Sequence, residues 1–370
     1  MAERNLKSLV NQLSRSLNPN ERLKAVETLA KFGKPAVPAL IMALGDNDTN
    51  VVLGAVDSLA KIGKSAVPAL AEALKSEDSG VRSLAVMALT EIGDASAVST
   101  LSIAVEEGND DIKWQAAQAL GKIGDSSAAP ALIDALGGEG NAHTRLWAAQ
   151  ALGEIGDASA VPALITALRD EGGVKQEAVI ALGKIGDASA VPALITAFAD
   201  EYYDNRAETA RALGKIGDSS AVPALITALG DENYEVKVRT ARALGEIGDA
   251  SAVPALVSAL GKDNGRLFSA TVEAFGEIGD ASAVPTLLEI IGKRSNEFQK
   301  SRYLEHDIRD AREAINEIAL SDPSSHKMLE QAMRHGNEDV RNVAYDALTA
   351  AGAPQVAGIS KEQPKRTKRT

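Results

Sequence analysis

A short phrase ending in Ile-Gly recurs along this chain at intervals of 30 to 32 residues. Its glycines are Gly63, Gly93, Gly124, Gly156, Gly186, Gly217, Gly248 and Gly279. A proline follows most of them five or six residues later, and Ser99 occupies that place after Gly93. A period of this length predicts a solenoid. Each unit is too small to bury its own apolar face, so neighbouring units must stack.

Each repeat reads as two helices. In the segment 157–186, the apolar spacing of the first half predicts helix A, with Val161, Leu164, Ile165 and Leu168 on one face. Asp157 or Ser159 can cap this helix, and Pro162 is tolerated in its first turn. The second half predicts helix B, with Val174, Ala178, Ala181, Leu182 and Ile185 on one face. Gly186 ends helix B in a left-handed conformation.

Small residues on helix B have a packing role. Ala181 and Gly183 allow neighbouring helices to approach closely, and a larger side chain at Ala181 would overpack the contact between repeats. The fold class predicted from these patterns is all-α, a right-handed α-solenoid of about ten or eleven helix pairs. We expect a cap unit at 1–33, regular repeats at 34–290, an insertion and degenerate cap units at 291–352, and a disordered basic tail at 353–370.

Composition limits the chemistry. There is no cysteine, which excludes disulfides and thiolate metal sites, and no apolar run has the length of a membrane span. The net charge is −12 although the last ten residues, KEQPKRTKRT, carry five basic side chains against one acidic side chain. Such an acidic body repels nucleic-acid backbones. Nucleic-acid binding is therefore not expected. The lack of cysteine and of a membrane span favours a cytoplasmic protein, and we expect it to be a monomer.

The repeated pattern VRxxAAxALGxIGDxxAVPALIxAL, over about residues 20 to 290, resembles the HEAT-like repeat of the phycobilisome-lyase class. That class includes chromophore lyase subunits, iron-dependent deoxyhypusine hydroxylases and binding proteins. The resemblance implies that the basic position of the motif pairs with an acidic group of an inter-helix loop, forming a structural ladder. The basic residues are Arg22, Arg82, Lys113, Arg145, Lys175, Arg206, Lys237 and Arg341.

No catalytic, cofactor or metal site is predicted. The hydroxylases of this class bind iron through repeated His-Glu pairs, whereas none of the four histidines here precedes a glutamate. The glycine phrases lack the spacing of a phosphate-binding loop. No serine has an identifiable histidine and carboxylate partner.

The face of helix B opposite its core is the candidate recognition surface, which in HEAT-like solenoids is the concave side. Both tryptophans fall on this face in adjacent repeats, and exposed tryptophan is enriched at binding hot spots. The alternative is that both rings fold over neighbouring alanines. The predicted partner-binding residues are Leu84, Met87, Trp114, Gln115, Gln118, Leu146, Trp147, Gln150, Ile180, Arg211, Arg239 and Arg242. The three arginines suit an acidic peptide or phosphate, although Glu208 and Glu235 among them equally fit a solvated face.

The leading hypothesis is a non-enzymatic scaffold that binds a protein or peptide on this surface. The first alternative is a bilin-lyase-like or other catalytic member of the same repeat class. The second is nucleic-acid binding through the inner cations and the KRTKRT tail, which would weaken steeply with salt.

Overall fold

The computed structural model describes residues 2–138, 140–260, 265–297 and 303–353. Every regular element in these ranges is helical. The chain forms two compact units, Met1–Ile185 and Gly186–Thr370. The prediction of an all-α solenoid of stacked helix pairs is confirmed.

The first unit contains six helix pairs within the described residues. In chain order the helices are α1 (Ala2–Arg15), α2 (Pro19–Leu29), α3 (Val37–Ala43), α4 (Thr49–Ile62), α5 (Val67–Ala73), α6 (Ser79–Ile92), α7 (Ala95–Glu107), α8 (Asp110–Ile123), α9 (Ala129–Gly137), α10 (Ala142–Ile155), α11 (Val161–Ala167) and α12 (Gly172–Ile185). Odd-numbered helices are the A helices and even-numbered helices are the B helices.

The second unit contains five pairs within its described residues. Its helices are α13 (Val191–Ala197), α14 (Tyr203–Ile216), α15 (Val222–Ala228), α16 (Tyr234–Ile247), α17 (Val253–Ala259), α18 (Arg266–Ile278), α19 (Val284–Glu297), α20 (Tyr303–Ser321), α21 (Ser325–His335) and α22 (Glu338–Ala350). The total of eleven pairs in the described ranges agrees with the expected ten or eleven.

The signals that start and stop each helix act as the sequence predicts, with one difference. The Asp157 carboxylate accepts a hydrogen bond from the backbone N–H of Ser159 at 2.8 Å and thereby caps a 3-10 turn, which runs directly into α11. Pro162 lies in the first turn of α11. Helix A is shorter than expected, because α11 ends at Ala167 and Leu168 follows as its C-cap. Gly186 has a φ of 75°, the left-handed conformation that closes helix B.

From α8 to α12 in the first unit and from α14 to α18 in the second, successive B helices touch through a glycine on one and an alanine on the next. A Cβ atom added to Gly153 on α10 would lie 2.7 Å from the Cα of Ala181 on α12, closer than any real contact. Gly214 and Ala243 make the same contact between α14 and α16. The close approach predicted at Ala181 is therefore real, and its partner is Gly153 of the preceding repeat.

Arginines at the basic position join successive repeats. Arg22 on α2 binds the carboxylate of Asp46, in the loop between α3 and α4, with Nε–Oδ2 and Nη2–Oδ1 distances of 2.7 and 2.8 Å. Arg206 on α14 binds Asp231 in the same two-pronged way at 2.8 and 3.0 Å. Arg145 Nη1 lies 3.2 Å from Asp170 Oδ1. These three pairs agree with the ladder predicted for the basic column, whereas Arg82 and Arg341 of the same column donate to the backbone carbonyls of Ser76 and Gly336.

The predicted insertion at 292–307 lengthens two helices where the structure describes it. Helix α19 has 14 residues whereas most A helices of this unit have 7, and α20 has 19. Residues 298–302 lie outside the described ranges. So do residues 354–370, which include nearly all of the segment predicted to be a disordered tail.

Replacing Gly153 by Ala should destabilise the first unit. The new methyl group must push α10 and α12 apart, at a cost of about 1–3 kcal/mol, which exceeds the gain of up to about 1 kcal/mol in helix propensity. Gly137→Ala is the matched control, because a Cβ there meets nothing within 4 Å. Urea denaturation followed by circular dichroism should show opposite shifts for the two variants. A Gly153→Ala protein as stable as the wild type would contradict the close-contact argument.

Replacing Asp46 by Asn should weaken the fold near neutral pH by about 1–3 kcal/mol, because the charged hydrogen bonds from Arg22 are lost. Those bonds hold the pKa of Asp46 below its usual range despite partial burial. A lowered pKa stabilises the fold above the unfolded value, near 4, and this stabilisation disappears as pH falls through the folded value. The difference between wild type and variant should therefore shrink below about pH 4.

The matched control is Asp57→Asn, which removes the same charge from an exposed pair with Lys61. We expect a change within about 0.5 kcal/mol for this variant. Equal losses in both variants would mean that the Arg22–Asp46 pair has no special structural role.

Candidate protein-interaction surface

The B helices of the first unit carry nine of the twelve predicted site residues. All nine side chains are partly exposed and none is sealed in the core, because the buried alanines and leucines occupy the other faces of the same helices. They are Leu84 and Met87 on α6, Trp114, Gln115 and Gln118 on α8, Leu146, Trp147 and Gln150 on α10, and Ile180 on α12.

Trp114, Trp147 and His143 form an aromatic cluster across α8 and α10. The tryptophan ring centroids lie 5.9 Å apart with the rings tilted by 32°. The His143 ring meets Trp114 edge-on at 5.1 Å and Trp147 edge-on at 6.1 Å. The Trp147 indole N–H donates a hydrogen bond to Nε2 of His143 at 3.1 Å. Two repeats thus contribute one continuous, partly exposed aromatic surface.

An open groove between α6 and α8 borders this cluster. Its volume is about 550 Å³. Apolar atoms of Val86, Met87, Trp114 and Ala119 line it together with hydroxyls, amides and one charge of each sign; the polar lining residues are Ser83, Thr90, Glu91, Gln115, Gln118 and Lys122. The groove is therefore amphipathic and close to neutral.

Several polar groups of the groove have no hydrogen-bond partner within the described part of the chain. These are the indole N–H of Trp114 and the side-chain amides of Gln115 and Gln118. By contrast, the amide of Gln150 on α10 donates to Glu154 at 3.0 Å. The groove consequently presents hydrogen-bonding groups that a ligand could use.

The three predicted arginines belong to the second unit, and each lies beside a glutamate. Arg211 Nε lies 2.6 Å from Glu208 Oε2, and Arg239 Nε lies 2.9 Å from Glu235 Oε1. Arg242 is 3.7 Å from a carboxylate oxygen of Glu273. Each guanidinium therefore has an acidic neighbour, so the cluster is a mixed-charge surface, as the glutamates in its sequence suggested.

Carboxylates crowd the ends of the B helices in the second unit. Partial burial raises the pKa of Glu277, and repulsion from Glu246, Glu273 and Glu317 raises it further by smaller amounts. The positive charge of Arg242 lowers it. These charges make this surface costly for any further anion.

Some residues of the surface escaped the sequence analysis. No role is predicted from the sequence for His143, one of the four histidines, yet it lies four residues before Trp147, the spacing that places two side chains on one helix face. Val86, Thr90 and Lys122 line the groove without having been assigned to it. The helical spacing around Met87 and Gln118 could have revealed these three residues.

The described residues contain no group of three or more histidine, aspartate or glutamate side chains placed to hold a metal ion. Within the same ranges, no helix combines the length and hydrophobicity needed to span a membrane.

Comparison with known families identifies the repeat. A model of HEAT repeats matches residues 6–79, 67–140, 99–173, 130–207, 171–234, 192–274 and 222–305, which together cover most of the chain. The chain belongs to the HEAT repeat family. No curated protein sequence matches it.

Solved structures of similar fold include nuclear transport proteins. Kap95p, in a structure that describes its binding to RanGDP, is 14% identical with a TM-score of 0.62, and the match covers 94% of this chain and 57% of that one. Yeast importin-beta (Kap95p) is 14% identical with a TM-score of 0.57 and the same coverage. The chain thus spans little more than half the length of these proteins. The complex of CpcE and CpcF of phycocyanin lyase from Nostoc is 23% identical over 66% of this chain and 93% of that one, with a TM-score of 0.38.

Replacing Glu277 by Gln should stabilise the second unit at pH 7, because the variant removes one charge from the repelling carboxylates. For an acid whose folded pKa is raised, the charged form penalises the fold above that pKa, and the penalty disappears as pH falls toward the unfolded value. The gain in thermal midpoint should therefore be largest near neutral pH and vanish below about pH 4.5. Glu313→Gln, an exposed change on α20, should give no such pH-dependent gain.

Proposed function

We propose that this protein is a non-enzymatic scaffold that binds a protein or peptide segment on the helix-B surface of its first unit. The observation that carries the proposal is the aromatic cluster of Trp114, His143 and Trp147, which is partly exposed beside an open groove. A monomeric state and a cytoplasmic location belong to the same proposal.

Large aromatic side chains suit this role for energetic reasons. Tryptophan buries much apolar area on binding while few rotatable bonds become fixed, which explains its enrichment among binding hot spots. Trp114 and Trp147 already contact each other, so their rings are partly ordered before any ligand arrives. A partner would therefore lose little further side-chain entropy on docking against them.

The groups around the groove favour recognition over catalysis. Nε2 of His143, the one imidazole of the cluster, already accepts a hydrogen bond from the indole N–H of Trp147. The groove itself offers amides, hydroxyls, one carboxylate and one ammonium group. The fold similarity to Kap95p, described as binding RanGDP, supports a protein as the partner class.

The arginines of the second unit form a separate predicted contact region. Because Arg211, Arg239 and Arg242 each have a glutamate neighbour, this region would suit a partner segment of alternating charge. We assign it a secondary role and place the main affinity at the tryptophans.

The double substitution Trp114→Ala and Trp147→Ala should abolish partner binding. Affinity purification from the native host with quantitative mass spectrometry should recover specific proteins with the wild type and lose them with the double variant. Because the rings contribute to binding hot spots, we expect a loss of at least tenfold in recovered partner. Circular dichroism should show the same helical content in both proteins, since neither ring lies in the core.

Tyr202→Ala serves as the matched control, because it removes an exposed aromatic ring that lies in the other unit and outside the proposed surface. Recovery of the same partners by wild type, control and double variant would remove the assignment of the site. Loss of partners in the Tyr202 variant alone would move the site to the second unit.

A further inference from the structure

We propose that the groove between α6 and α8 binds a proline-rich segment in the polyproline II conformation. This inference rests on the proposed function and specifies its ligand class. The groove offers an aromatic ring from Trp114, an aliphatic wall from Met87 and the unpartnered amides of Gln115 and Gln118.

The hydrogen-bonding groups of the groove match the needs of such a segment. A polyproline II chain has no internal hydrogen bonds, so its carbonyl groups require donors from outside, and proline has no N–H group. The indole N–H of Trp114 and the amide N–H groups of Gln115 and Gln118 can supply donors. Docking would therefore satisfy ligand carbonyls and leave few ligand donors without acceptors.

A peptide in the β-strand conformation fits this site less well. A β-strand ligand gains affinity by pairing its backbone with an exposed sheet edge. The walls of the groove are helices α6 and α8, whose backbone N–H and carbonyl groups are already paired within each helix. An added strand would have half of its N–H groups facing side chains that cannot form a regular ladder.

The charge of the groove also selects the ligand. Glu91 and Lys122 are its two charged residues and they offset each other. A strongly acidic or basic segment would gain little here and would lose hydration. Proline-rich segments dock in aromatic-lined grooves with a small entropy cost, because their conformation is already formed in solution.

Intrinsic fluorescence provides a direct test in the full-length protein. The chain contains two tryptophans, and both lie in the aromatic cluster, so their emission reports on this site without labels. We would titrate a blocked, uncharged oligoproline of about ten residues into the protein. A saturable change in emission is expected. A blocked glycine-serine peptide of the same length and an alanine-rich helical peptide of about twenty residues are the comparison ligands.

The variant Gln115→Ala/Gln118→Ala keeps both tryptophans and should weaken oligoproline binding roughly tenfold, because it removes the amide donors. Gln331→Ala on α21 is the matched control, and it should bind like the wild type. Both variants should keep the helical signal of the wild type.

The outcomes separate this inference from the function on which it rests. An emission change with the helical peptide but not with oligoproline would overturn the ligand class and leave the surface assignment standing. No change with any peptide, together with partner capture that still requires Trp114 and Trp147, would also overturn the ligand class alone. Equal oligoproline affinity in the wild type and the glutamine variant would refute the donor argument. Partner capture that survives removal of both tryptophans would overturn the proposed function itself.

Discussion

Where a glycine on one B helix packs against an alanine on the next, this contact sets the spacing of the two repeats. At Gly153 no side chain fits, because the Cα of Ala181 lies only 2.7 Å from where a Cβ atom would be. Packing that close gains dispersion energy along the whole length of both helices. It also brings the outer side chains of neighbouring repeats within reach of each other. The 5.9 Å contact between Trp114 and Trp147 joins α8 and α10, where Gly121 packs against Ala151 in the same way, so bulkier residues there would separate the rings.

A second set of interactions fixes the orientation of successive repeats. The Arg22–Asp46 and Arg206–Asp231 pairs each join a B helix to the loop of the following repeat with two hydrogen bonds. Such two-pronged pairs define direction as well as distance. The van der Waals contact between the glycine and the alanine does not fix a direction in this way. The two interactions are therefore complementary, because one sets how close the helices come and the other sets how they are rotated.

The sequence predicted the fold well because its signals are local and repeated. Pro162 and Gly186 mark helix ends through backbone conformation alone, so they need no tertiary information. The sequence predicted that both tryptophans of the aromatic cluster lie on one surface. It did not predict the part of His143, because the contacts of this ring with both indoles depend on two helices from different repeats. The groove between α6 and α8 could not be read from the sequence, because its volume depends on how two helices diverge. The lack of hydrogen-bond partners for the Gln115 and Gln118 amides among the described residues could likewise not be predicted, because it depends on the positions of all their neighbours.

The two units differ in what a ligand would have to displace. On the second unit, a ligand approaching Arg211 or Arg239 must compete with glutamates that already bind these guanidinium groups. On the first unit, the Trp114 indole and the Gln115 and Gln118 amides have no hydrogen-bond partner among the described residues, and apolar atoms lie beside them. A ligand can therefore bind these groups without breaking an ion pair, whereas breaking an ion pair opposes binding. The same repeat framework thus carries two different surfaces, and this difference favours the neutral surface as the proposed binding site.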